Sequence, residues 1–504
     1  MGNRKETVLL TGASGSMGWE TFKQLWARRD RYHIVLLVRP TPVNKRKFRK
    51  YERTAGISPA KGAGIVSGDG LKIVWGDALN HEDVREACRG IDWCLHVMAL
   101  ISPEADRQQE MAHRVNYLAT KTIVEAIEEQ DPDRIRMVYI GSVAVYGDRL
   151  PPIHVGRTGD PVVPSVFDFY ALTKIKAELA VMQSRIKHRV SLRQTFIMIP
   201  DLFSLQDPIM FHQPLNSFME NVTARDSGRL LANCLEVPPD STFWGGYYNI
   251  SGGPVCRTTF YEFLGRIYGM LGLRPERVME RTWFALKNFH MMFFEDTKKL
   301  NSYLRHWEGG MSQEDYYAEV KMKLPWYMKM TAWCCKNVPL YRHIIEKVTH
   351  SRLEKIALEP HGTLRWIADG DFEKIVAFYG SEEEFRDIPG WEGVLPPLNI
   401  DLPHKRLNHG YDETKEQLEM EDLQQAAIFR GGVLKDETWD GNMEKKVSWS
   451  CCMAHSLEMT PHAVLKGGHW CPECLSSAWN YSEISKKNSF MAQLFPAESE
   501  TVIS

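Results

Sequence analysis

Short apolar runs alternate with amphipathic stretches along the first half of the chain. Runs at residues 8–11, 34–38, 71–75, 93–97 and 136–140 predict strands, and a sixth predicted strand ends at residues 197–199. The stretch after the first run carries Phe22, Leu25 and Trp26 at helical spacing. Strands that alternate with helices are typical of an open α/β sheet, so we expect ligands at the carboxyl ends of these strands.

The first predicted strand runs directly into a glycine-rich turn. Glycines at 12, 15 and 18 allow a tight turn, a close approach of the backbone to a pyrophosphate, and close packing of helix and sheet. Free N–H groups and the helix dipole favour phosphate at the start of the following helix. The turn therefore predicts a dinucleotide site, with a purely structural turn as the alternative. The predicted contacts are Gly12, Ser14, Gly15, Ser16, Met17 and Gly18.

The end of the second predicted strand indicates the kind of dinucleotide. Arg39 stands where an acidic residue would bind the adenosine ribose hydroxyls of NAD. An arginine there favours a 2′-phosphate, so we expect NADP(H), with NAD(H) possible. The basic run at residues 45–50 is more typical of a solvated loop and adds little.

Two further strand ends are expected to line the same crevice. Asp77 and Ala78 follow one strand, and Met98 and Ala99 follow the next. Asp77 is a candidate partner for the adenine amino group, or nearly as readily a helix N-cap. Met98 and Ala99 are predicted beside the ribose and nicotinamide of the cofactor.

A serine, a tyrosine and a lysine form the candidate catalytic set. Ser142 ends the fifth strand and could orient a substrate oxygen, and Tyr170 precedes Lys174 by four residues, which places both on one helix face. A tyrosine normally titrates near pH 10. We expect the Lys174 ammonium, and an oxidised nicotinamide where bound, to lower the pKa of Tyr170 and make it a proton-transfer group.

These motifs together resemble the extended short-chain dehydrogenase/reductases of the epimerase/dehydratase type, over residues 6 to about 275. The resemblance rests on Thr-Gly-x-x-Gly-x-x-Gly at 11–18, Val115-Asn116, Ser142 with Tyr146-Gly147, Tyr170 with Lys174, and the segment 248–253. It implies a Rossmann doubly wound parallel sheet with a small substrate subdomain, and hydride transfer at nicotinamide C4. It further implies that Tyr170 is the general acid or base, Lys174 binds the ribose, and Ser142 polarises the substrate.

The resemblance also assigns two further residues. Asn116 corresponds to a helix asparagine that supports a proton relay, with a helix-kinking structural role as the alternative. Pro200, after the sixth predicted strand, would cover the nicotinamide.

Departures from the family pattern narrow the expected chemistry. Val143 and Ala144 stand where dehydratases carry an acid pair and decarboxylating relatives a glutamate. Between residues 200 and 230 the arginine-rich signature of nucleotide-sugar enzymes is hard to find; Arg225 and Arg229 are its possible cations, although their segment better resembles a structural turn into a helix. We therefore favour redox chemistry on a fairly apolar carbonyl or alcohol over epimerisation.

Composition changes this picture little. The 504 residues are 43% hydrophobic and carry a net charge of −2, which gives no reason to expect nucleic acid or an anionic membrane. No apolar run reaches the roughly 20 residues that span a bilayer. The first strand begins almost at the N-terminus, leaving no room for a signal peptide. Together with the free-looking Cys88, Cys94, Cys234 and Cys256, this predicts a cytoplasmic protein.

Residues 276–400 form a second, tryptophan-rich region. Helical periodicity covers residues 316–324, 341–355 and 372–379, with breaks at Pro325, Pro339 and Pro360. The aromatic and methionine stripe at 326–336 predicts core packing, with membrane contact or a substrate lid as alternatives. Adjacent Cys334 and Cys335 are expected to be buried thiols. Residues 404–425 are strongly charged and predict a surface helix or linker.

The C-terminal part carries a second cluster of chemistry. Cys451, His455, Cys471 and Cys474 offer four ligands suited to tetrahedral zinc, and the segment resembles a treble-clef or ribbon-type zinc knuckle. Four protein ligands leave no open position, so this zinc is expected to be structural. Cys452 and His469 are plausible substitutes and His462 a weaker one, and a redox pair of Cys471 with Cys474 is the alternative.

The expected organisation follows from these segments. We assign an NAD(P)-binding Rossmann region with its substrate subdomain to 1–275, a mainly helical extension to 276–400, a charged linker or helix to 401–445, a zinc module to 446–482 and a tail to 483–504. An NADPH-dependent reductase or dehydrogenase is the leading function; a nucleotide-sugar epimerase and a non-catalytic NADP(H)-binding scaffold are the alternatives. We expect a small-molecule substrate and no nucleic acid, and the family resemblance implies a homodimer through the helices around Asn116 and Tyr170.

Overall fold

A computed structural model describes residues 4–58, 62–199, 206–393, 401–476 and 479–495. Its centre is an eight-stranded sheet in the spatial order β12-β8-β6-β5-β1-β2-β4-β3. These strands are β1 (Glu6–Thr11), β2 (Tyr32–Val38), β3 (Gly64–Gly68), β4 (Leu71–Trp75), β5 (Trp93–His96), β6 (Arg136–Ser142), β8 (His188–Gln194) and β12 (Tyr247–Ile250). All neighbours pair in parallel except β3, which runs antiparallel to β4.

Smaller sheets surround the main one. Three are two-stranded: β7 (Val155–Gly156) with β14 (Phe293–Phe294), β9 (Ile197–Met198) with β11 (Val222–Thr223), and β10 (Phe218–Glu220) with β13 (Arg257–Thr259). A three-stranded sheet of β15 (Val433–Leu434), β16 (Val447–Ser450) and β17 (Ser456–Met459) lies in the C-terminal part.

Helices cover both faces of the main sheet. Up to residue 278 they are α1 (Ser16–Ala27), α2 (Pro42–Thr54), α3 (His81–Cys88), α4 (Glu104–Arg107), α5 (Gln109–Ala112), α6 (Ala119–Glu128), α7 (Phe169–Met182), α8 (Ala224–Asn233), α9 (Phe260–Met270) and α10 (Pro275–Val278). Beyond it follow α11 (Thr297–Leu304), α12 (Gln313–Lys323), α13 (Trp326–Asn337), α14 (Pro339–Ala357), α15 (Thr363–Asp369), α16 (Phe372–Tyr379), α17 (Glu382–Arg386), α18 (Met420–Phe429), α19 (Pro461–Leu465), α20 (Pro472–Ser476), α21 (Tyr481–Ser485) and α22 (Ser489–Ala492). A π-helical turn spans His113–Leu118, and 3-10 turns lie at Val143–Tyr146, Pro208–Phe211, Cys234–Glu236, Pro254–Cys256 and Arg281–Trp283.

The two faces of the sheet belong to two different cores. In β1, Val8 and Leu10 pack into one core, whereas Leu9 packs into the other, because successive side chains of a strand point to opposite faces. Because both faces of the sheet are buried, these strands appear in the sequence as continuous apolar runs. The predicted doubly wound α/β fold is confirmed.

The sixth strand was placed wrongly from the sequence. It spans His188–Gln194 and includes the charged residues Arg189 and Arg193, whereas Ile197–Met198 forms a separate short strand paired with β11. The interruption of the apolar pattern by buried arginines concealed the true strand. Pro200 lies outside the described residues.

The extension is helical, as expected. Helices α12, α14 and α16 cover the three predicted segments, and Pro325 and Pro339 stand at the starts of α13 and α14. The inner faces of α12 and α14 share a core with α9, in which Leu264, Val320 and Leu353 are buried. Among the residues that the structure describes, no helix combines the length and apolarity needed to cross a bilayer.

The aromatic stripe differs from its prediction, whereas the charged segment is largely exposed, as expected of a surface helix or linker. The stripe at 326–336 is not core, because Trp326, Tyr327 and Trp333 are 76%, 57% and 61% exposed. Conversely, the charged segment 404–425 is anchored to the fold: His409 is buried and lies 2.9 Å from Asp160. A prediction based on polarity alone fails for aromatic side chains that face solvent and for polar side chains that are buried.

The C-terminal part packs against the catalytic region through α7. Leu172, Ile175 and Leu179 lie one turn apart on one face of this helix and join a core with Trp449 and Val464. That face is therefore covered by the same chain. The oligomeric state itself stays a prediction.

A buried ionic cluster joins these two parts. The Glu178 carboxylate of α7 accepts hydrogen bonds from Arg193 of β8 at 2.6 Å and from His469 of the C-terminal part at 2.7 Å. Ser191 donates a third, and Arg193 also reaches the carbonyl of Gly467. Burial acts to raise the pKa of Glu178, but the charge of Arg193 and the bond from His469 hold it well below its usual range.

We predict that Glu178→Gln lowers the free energy of unfolding by about 3 kcal/mol at pH 7, because it leaves the buried Arg193 without its counter-charge. A carboxyl group whose pKa is lowered by folding stabilises the protein fully above its unfolded pKa near 4. The difference in the free energy of unfolding between Glu178→Gln and the parent protein therefore shrinks as the pH falls below about 4. Denaturant unfolding followed by fluorescence measures the free energy of unfolding at each pH. Glu125→Gln, in an exposed pair 3.7 Å from Lys121, is the control and should change stability by less than about 0.5 kcal/mol. An equal effect of the two substitutions would contradict the assignment.

Candidate functional site

A cleft of about 1600 Å³ opens at the carboxyl edge of the main sheet and continues toward the helical extension. It lies where the strand order reverses between β1 and β5, the place at which open α/β sheets bind ligands. With Pro200 outside the described residues, every other predicted cofactor residue lines it: Gly12, Ser14, Gly15, Ser16, Met17, Gly18, Arg39, Asp77, Ala78, Met98, Ala99, Tyr170 and Lys174.

The glycine turn forms one end of the cleft. Gly12 has a φ of +71°, and a Cβ there would stand 2.8 Å from the backbone nitrogen of Met98. A Cβ on Gly18 would stand 2.1 Å from the Gly12 carbonyl oxygen. Gly12 is therefore required for the backbone conformation, and Gly18 for the close packing of α1 on the turn.

Helix α1 points its start into the cleft. Gly15 is its N-cap, and no side chain caps its first N–H groups. Unsatisfied N–H groups and the positive end of the helix dipole make this a fitting place for a pyrophosphate.

The adenosine end is marked by Arg39 and Asp77. Both side chains are exposed and border the cleft. The N-cap interpretation of Asp77 is wrong, because Asn80 caps α3, and Asp77 instead accepts a hydrogen bond from the N–H of Leu79 at 3.0 Å. The adenine contact of Asp77 stays a prediction.

Lys47 lies near the end of the cleft that is formed by the glycine turn. In the sequence, its basic run is more typical of a solvated loop. Lys47 lies on α2, where its Nζ donates to the carbonyl of Ser14 at 2.8 Å and sits 4.4 Å from the centre of the Trp19 ring. Burial lowers the pKa of Lys47. Its position next to the glycine turn could be found only once α2 was placed over α1.

Ser142 and Tyr170 meet in the middle of the cleft. Ser142 ends β6, and its hydroxyl accepts from the N–H of Ala144 at 3.2 Å and forms a hydrogen bond with Tyr170. Burial raises the pKa of Tyr170 to about 12; the bond to Ser142 opposes this, while the charges of Asp168 and Asp106 add to it. The lowered pKa expected for Tyr170 is therefore not produced by the surrounding protein groups.

Lys174 is held one turn along the same helix. Its Nζ donates to the carbonyl of Ile140 at 2.6 Å and lies 4.4 Å from the centre of the Tyr139 ring. Burial lowers the pKa of Lys174 to about 7, against an opposing effect of the Glu178 carboxylate. Burial and the nearby carboxylate thus act on the charge of Lys174 in opposite directions.

Asn116 lies in the π-helical turn and is buried. Its side-chain amide exchanges two hydrogen bonds with the backbone of Leu100, at 2.7 and 2.9 Å, and donates to Thr173 at 2.9 Å. These contacts tie the loop after β5 to the catalytic helix, which agrees with the structural alternative. The proton relay through Asn116 stays a prediction.

Three further titratable side chains lie beside Tyr170 and were missed from the sequence. His290 borders the cleft and lies 2.9 Å from Asp168, the N-cap of α7. Asp106 accepts from the backbone N–H of Tyr170 at 3.2 Å, and burial together with the charge of Asp168 raises the pKa of Asp106 to about 6. Asp106 and His290 come from segments distant from α7, so no local motif marks them, whereas Asp168 is the N-cap of that helix.

The second half of the cleft is predominantly apolar. It is walled by side chains from α9 and from the helical extension. They include Phe263, Leu264, Ile267, Leu271, Val320, Leu324, Met328, Ile345, Val348 and Leu353. The extension therefore completes the cleft on the side away from the glycine turn.

A compact cysteine and histidine cluster occupies the C-terminal part. Cys451 and His455 flank the turn between β16 and β17, and Cys471 and Cys474 stand before and within α20. Their ligand atoms all lie within 4.8 Å of one another, and the His455 Nδ1 is 3.5, 3.4 and 3.5 Å from the three sulfur atoms. Tetrahedral zinc with bonds of about 2.0–2.3 Å requires ligand separations of about 3.5–3.8 Å.

The two substitute histidines are engaged elsewhere. His469 is bonded to Glu178, and His462 lies 2.8 Å from Glu444. The second nitrogen of His455, Nε2, lies 3.8 Å from the Glu473 carboxylate, as is common for a histidine that binds metal through its other nitrogen. The donor set thus fits a four-ligand zinc ion.

Part of the chain is similar in sequence to known proteins. Residues 8–226 match the model of the NAD dependent epimerase/dehydratase family. Human sterol-4-alpha-carboxylate 3-dehydrogenase, decarboxylating, is 26% identical over 226 residues, which cover 41% of this chain and 57% of the relative. D-erythronate dehydrogenase of Haemophilus influenzae is 24% identical over 149 residues, 29% of this chain and 40% of the relative. The chain thus spans about half the length of these relatives.

Solved structures with a similar fold include MoeE5 in complex with UDP-glucuronic acid and NAD, 19% identical, at a TM-score of 0.46 over 63% of this chain and 98% of that one. UDP-glucuronic acid 4-epimerase from Bacillus cereus, in complex with UDP-glucuronic acid and NAD, is 17% identical, with a TM-score of 0.46 over 63% of this chain and 100% of that one. The family match and the matches to these two dehydrogenases each cover less than half of this chain.

Proposed function

We propose that this protein is an NADPH-dependent oxidoreductase that transfers hydride to or from a carbonyl or alcohol of a fairly apolar small molecule. The observation that carries this proposal is the course of one cleft, which runs from the glycine turn, past Ser142 and Tyr170, to an apolar wall. A dinucleotide and an apolar substrate placed end to end would therefore meet at the tyrosine.

The residues of the cleft fit a dinucleotide. The turn at Gly12 and the start of α1 would hold the pyrophosphate, and Arg39 would pair with a 2′-phosphate. Lys47 adds positive charge beside the same turn. When bound, the nicotinamide supplies or accepts the hydride.

Tyr170 is the proton donor in reduction and the acceptor in oxidation. In reduction a neutral phenol is the form required, and burial keeps Tyr170 in that form. For oxidation its proton must leave, and positive charge from Lys174 and an oxidised nicotinamide would favour that step. Ser142, hydrogen-bonded to Tyr170, orients the substrate oxygen.

The surroundings of two arginines argue against a nucleotide diphosphate substrate. Arg225 lies 2.8 Å from Glu319 and Arg229 3.0 Å from Asp226, so both are paired. Neither belongs to the described residues that border the cleft. Of the relatives' named substrates, a sterol carboxylate suits the apolar wall better than erythronate.

We also propose that Cys451, His455, Cys471 and Cys474 hold a structural zinc ion. Their separations and the carboxylate beside His455 support it. Because the ion would fill its coordination with four protein ligands, it takes no part in hydride transfer. Its effect would be to fix the segment that brings His469 to Glu178.

Tyr170→Phe should abolish turnover while leaving NADPH affinity within about threefold. The phenol moves a proton in the transition state, a contribution of at least about 100-fold, but it is a minor part of the dinucleotide contact surface. Turnover is measured by NADPH oxidation with a panel of alicyclic ketones and enones, and NADPH affinity by fluorescence titration. Tyr303→Phe, whose hydroxyl bonds to Thr242 away from the cleft, is the control and should retain activity. A large loss of NADPH binding in Tyr170→Phe would refute the assigned role.

Arg39→Asp should lower the preference for NADPH over NADH by at least about tenfold, since a charge-assisted contact to phosphate contributes about 1.5–3 kcal/mol. Competitive fluorescence titrations with both dinucleotides give the ratio. The control is Arg46→Asp, which makes the same charge change at an exposed position of α2. An unchanged ratio of NADPH to NADH affinity in Arg39→Asp, or an equal change in the control, would contradict a contact between Arg39 and the 2′-phosphate. A stoichiometric nicotinamide that does not exchange would instead favour the epimerase.

For the metal, we expect about one zinc ion per chain in the purified protein by plasma mass spectrometry. Cys471→Ser should lose it and unfold at a lower temperature, because zinc binding contributes directly to folding. Cys452→Ser, the adjacent thiol outside the cluster, should keep the metal. A zinc-free parent protein with a Cys471–Cys474 disulfide would establish the redox alternative instead.

A further inference from the structure

An exposed apolar stripe runs along α13. Trp326, Tyr327, Met330 and Trp333 lie on one face of this helix at 76%, 57%, 56% and 61% exposure. Its opposite face is packed into the protein, where Cys335 is fully buried. The helix is therefore anchored, and the stripe is a surface of the folded protein.

The next helix extends the same surface. Leu340, Ile344 and Val348 are spaced four residues apart on α14 and are 71%, 51% and 60% exposed. Leu353 and Ile356 on the same helix are buried in the core shared with α9. We call the seven exposed side chains of α13 and α14 the paired-helix patch. A contiguous patch of this kind on a folded protein marks an interaction surface.

The patch is surrounded by positive charge. Between residues 321 and 352 the sequence has seven lysines and arginines against one glutamate. Lys329, Lys336 and Lys347 are exposed on the two helices that carry the patch. The whole-chain charge of −2 conceals this local excess. A second copy of the chain would bring the same cations face to face, which disfavours self-association through this surface.

The patch is also continuous with the apolar half of the cleft. Tyr327 belongs to both, since it is exposed in the patch and borders the cleft, and so does Val348. Pro325 and Thr349 lie at the same edge. The cleft thus opens where the protein displays apolar and cationic groups together.

We propose that the paired-helix patch docks the protein on the surface of an anionic lipid bilayer. Tryptophan and tyrosine are favoured at the boundary between headgroups and acyl chains, and lysine stems reach from that depth to the phosphates. The two helices lie in the plane of the membrane without crossing it. The mouth of the cleft then faces the bilayer, from which an apolar substrate enters; only this last consequence rests on the proposed function.

Sedimentation with sucrose-loaded vesicles tests the docking without any catalytic readout. The parent protein should pellet with vesicles of phosphatidylcholine and phosphatidylserine in a 7:3 ratio, and less with phosphatidylcholine alone. Trp326→Ser/Trp333→Ser should lower the partition coefficient at least about tenfold, since two large apolar side chains no longer enter the lipid. Lys329→Glu/Lys336→Glu should remove the advantage of anionic vesicles.

The matched control is Phe372→Ser/Ile428→Ser, which removes two side chains that are 72% and 70% exposed outside the patch. It should pellet like the parent protein, and unchanged NADPH titration in every variant shows that the fold is kept. A parent protein that stays in the supernatant with both vesicle types overturns the proposal, as does equal binding by the tryptophan variant. A parent dimer that becomes a monomer in the tryptophan variant, without vesicle binding, overturns it in favour of self-association. None of these outcomes bears on hydride transfer, which the Tyr170 variant tests.

Discussion

The buried cluster of Glu178, Arg193 and His469 is the contact on which the arrangement of the catalytic helix depends. A carboxylate removed from water is tolerated only when its oxygens are saturated by hydrogen bonds, and here a strand, the helix itself and the C-terminal part all contribute. Glu178 lies one helical turn beyond Lys174 and two beyond Tyr170. The position of the candidate catalytic pair is therefore tied to a segment about 300 residues further along the chain.

This tie links the C-terminal part to the helix that carries the candidate residues Tyr170 and Lys174. His469 stands two residues before Cys471, so the geometry of the cysteine cluster and that of the ionic cluster are coupled through a short stretch of backbone. The same packing covers Leu172 and Leu179 on the outer face of the catalytic helix. This face of α7 is thus occupied by the protein's own chain.

The cleft combines two different environments. The sheet supplies a polar end built from backbone N–H groups at Gly15 and from Arg39, and the extension supplies an apolar end built from α9, α12 and α14. Tyr170 lies between them, and burial raises its pKa. The hydrogen bonds of Asn116 to Leu100 and Thr173 hold the loop after β5 at this boundary.

The sequence by itself determined the α/β fold, the glycine turn, the Ser142, Tyr170 and Lys174 set, and the four-residue cysteine and histidine cluster, because each depends on local spacing that backbone geometry makes explicit. It misplaced the sixth strand, whose buried Arg193 is acceptable only beside Glu178, and it assigned the stripe at Trp326 and Trp333 to the core. Helical periodicity shows that a face is apolar but not what covers it. Only the tertiary structure decided that Asp106 and His290 adjoin Tyr170, that Lys47 reaches the glycine turn, and that the aromatic stripe faces outward, because contacts between distant segments are fixed by packing and leave no local signal.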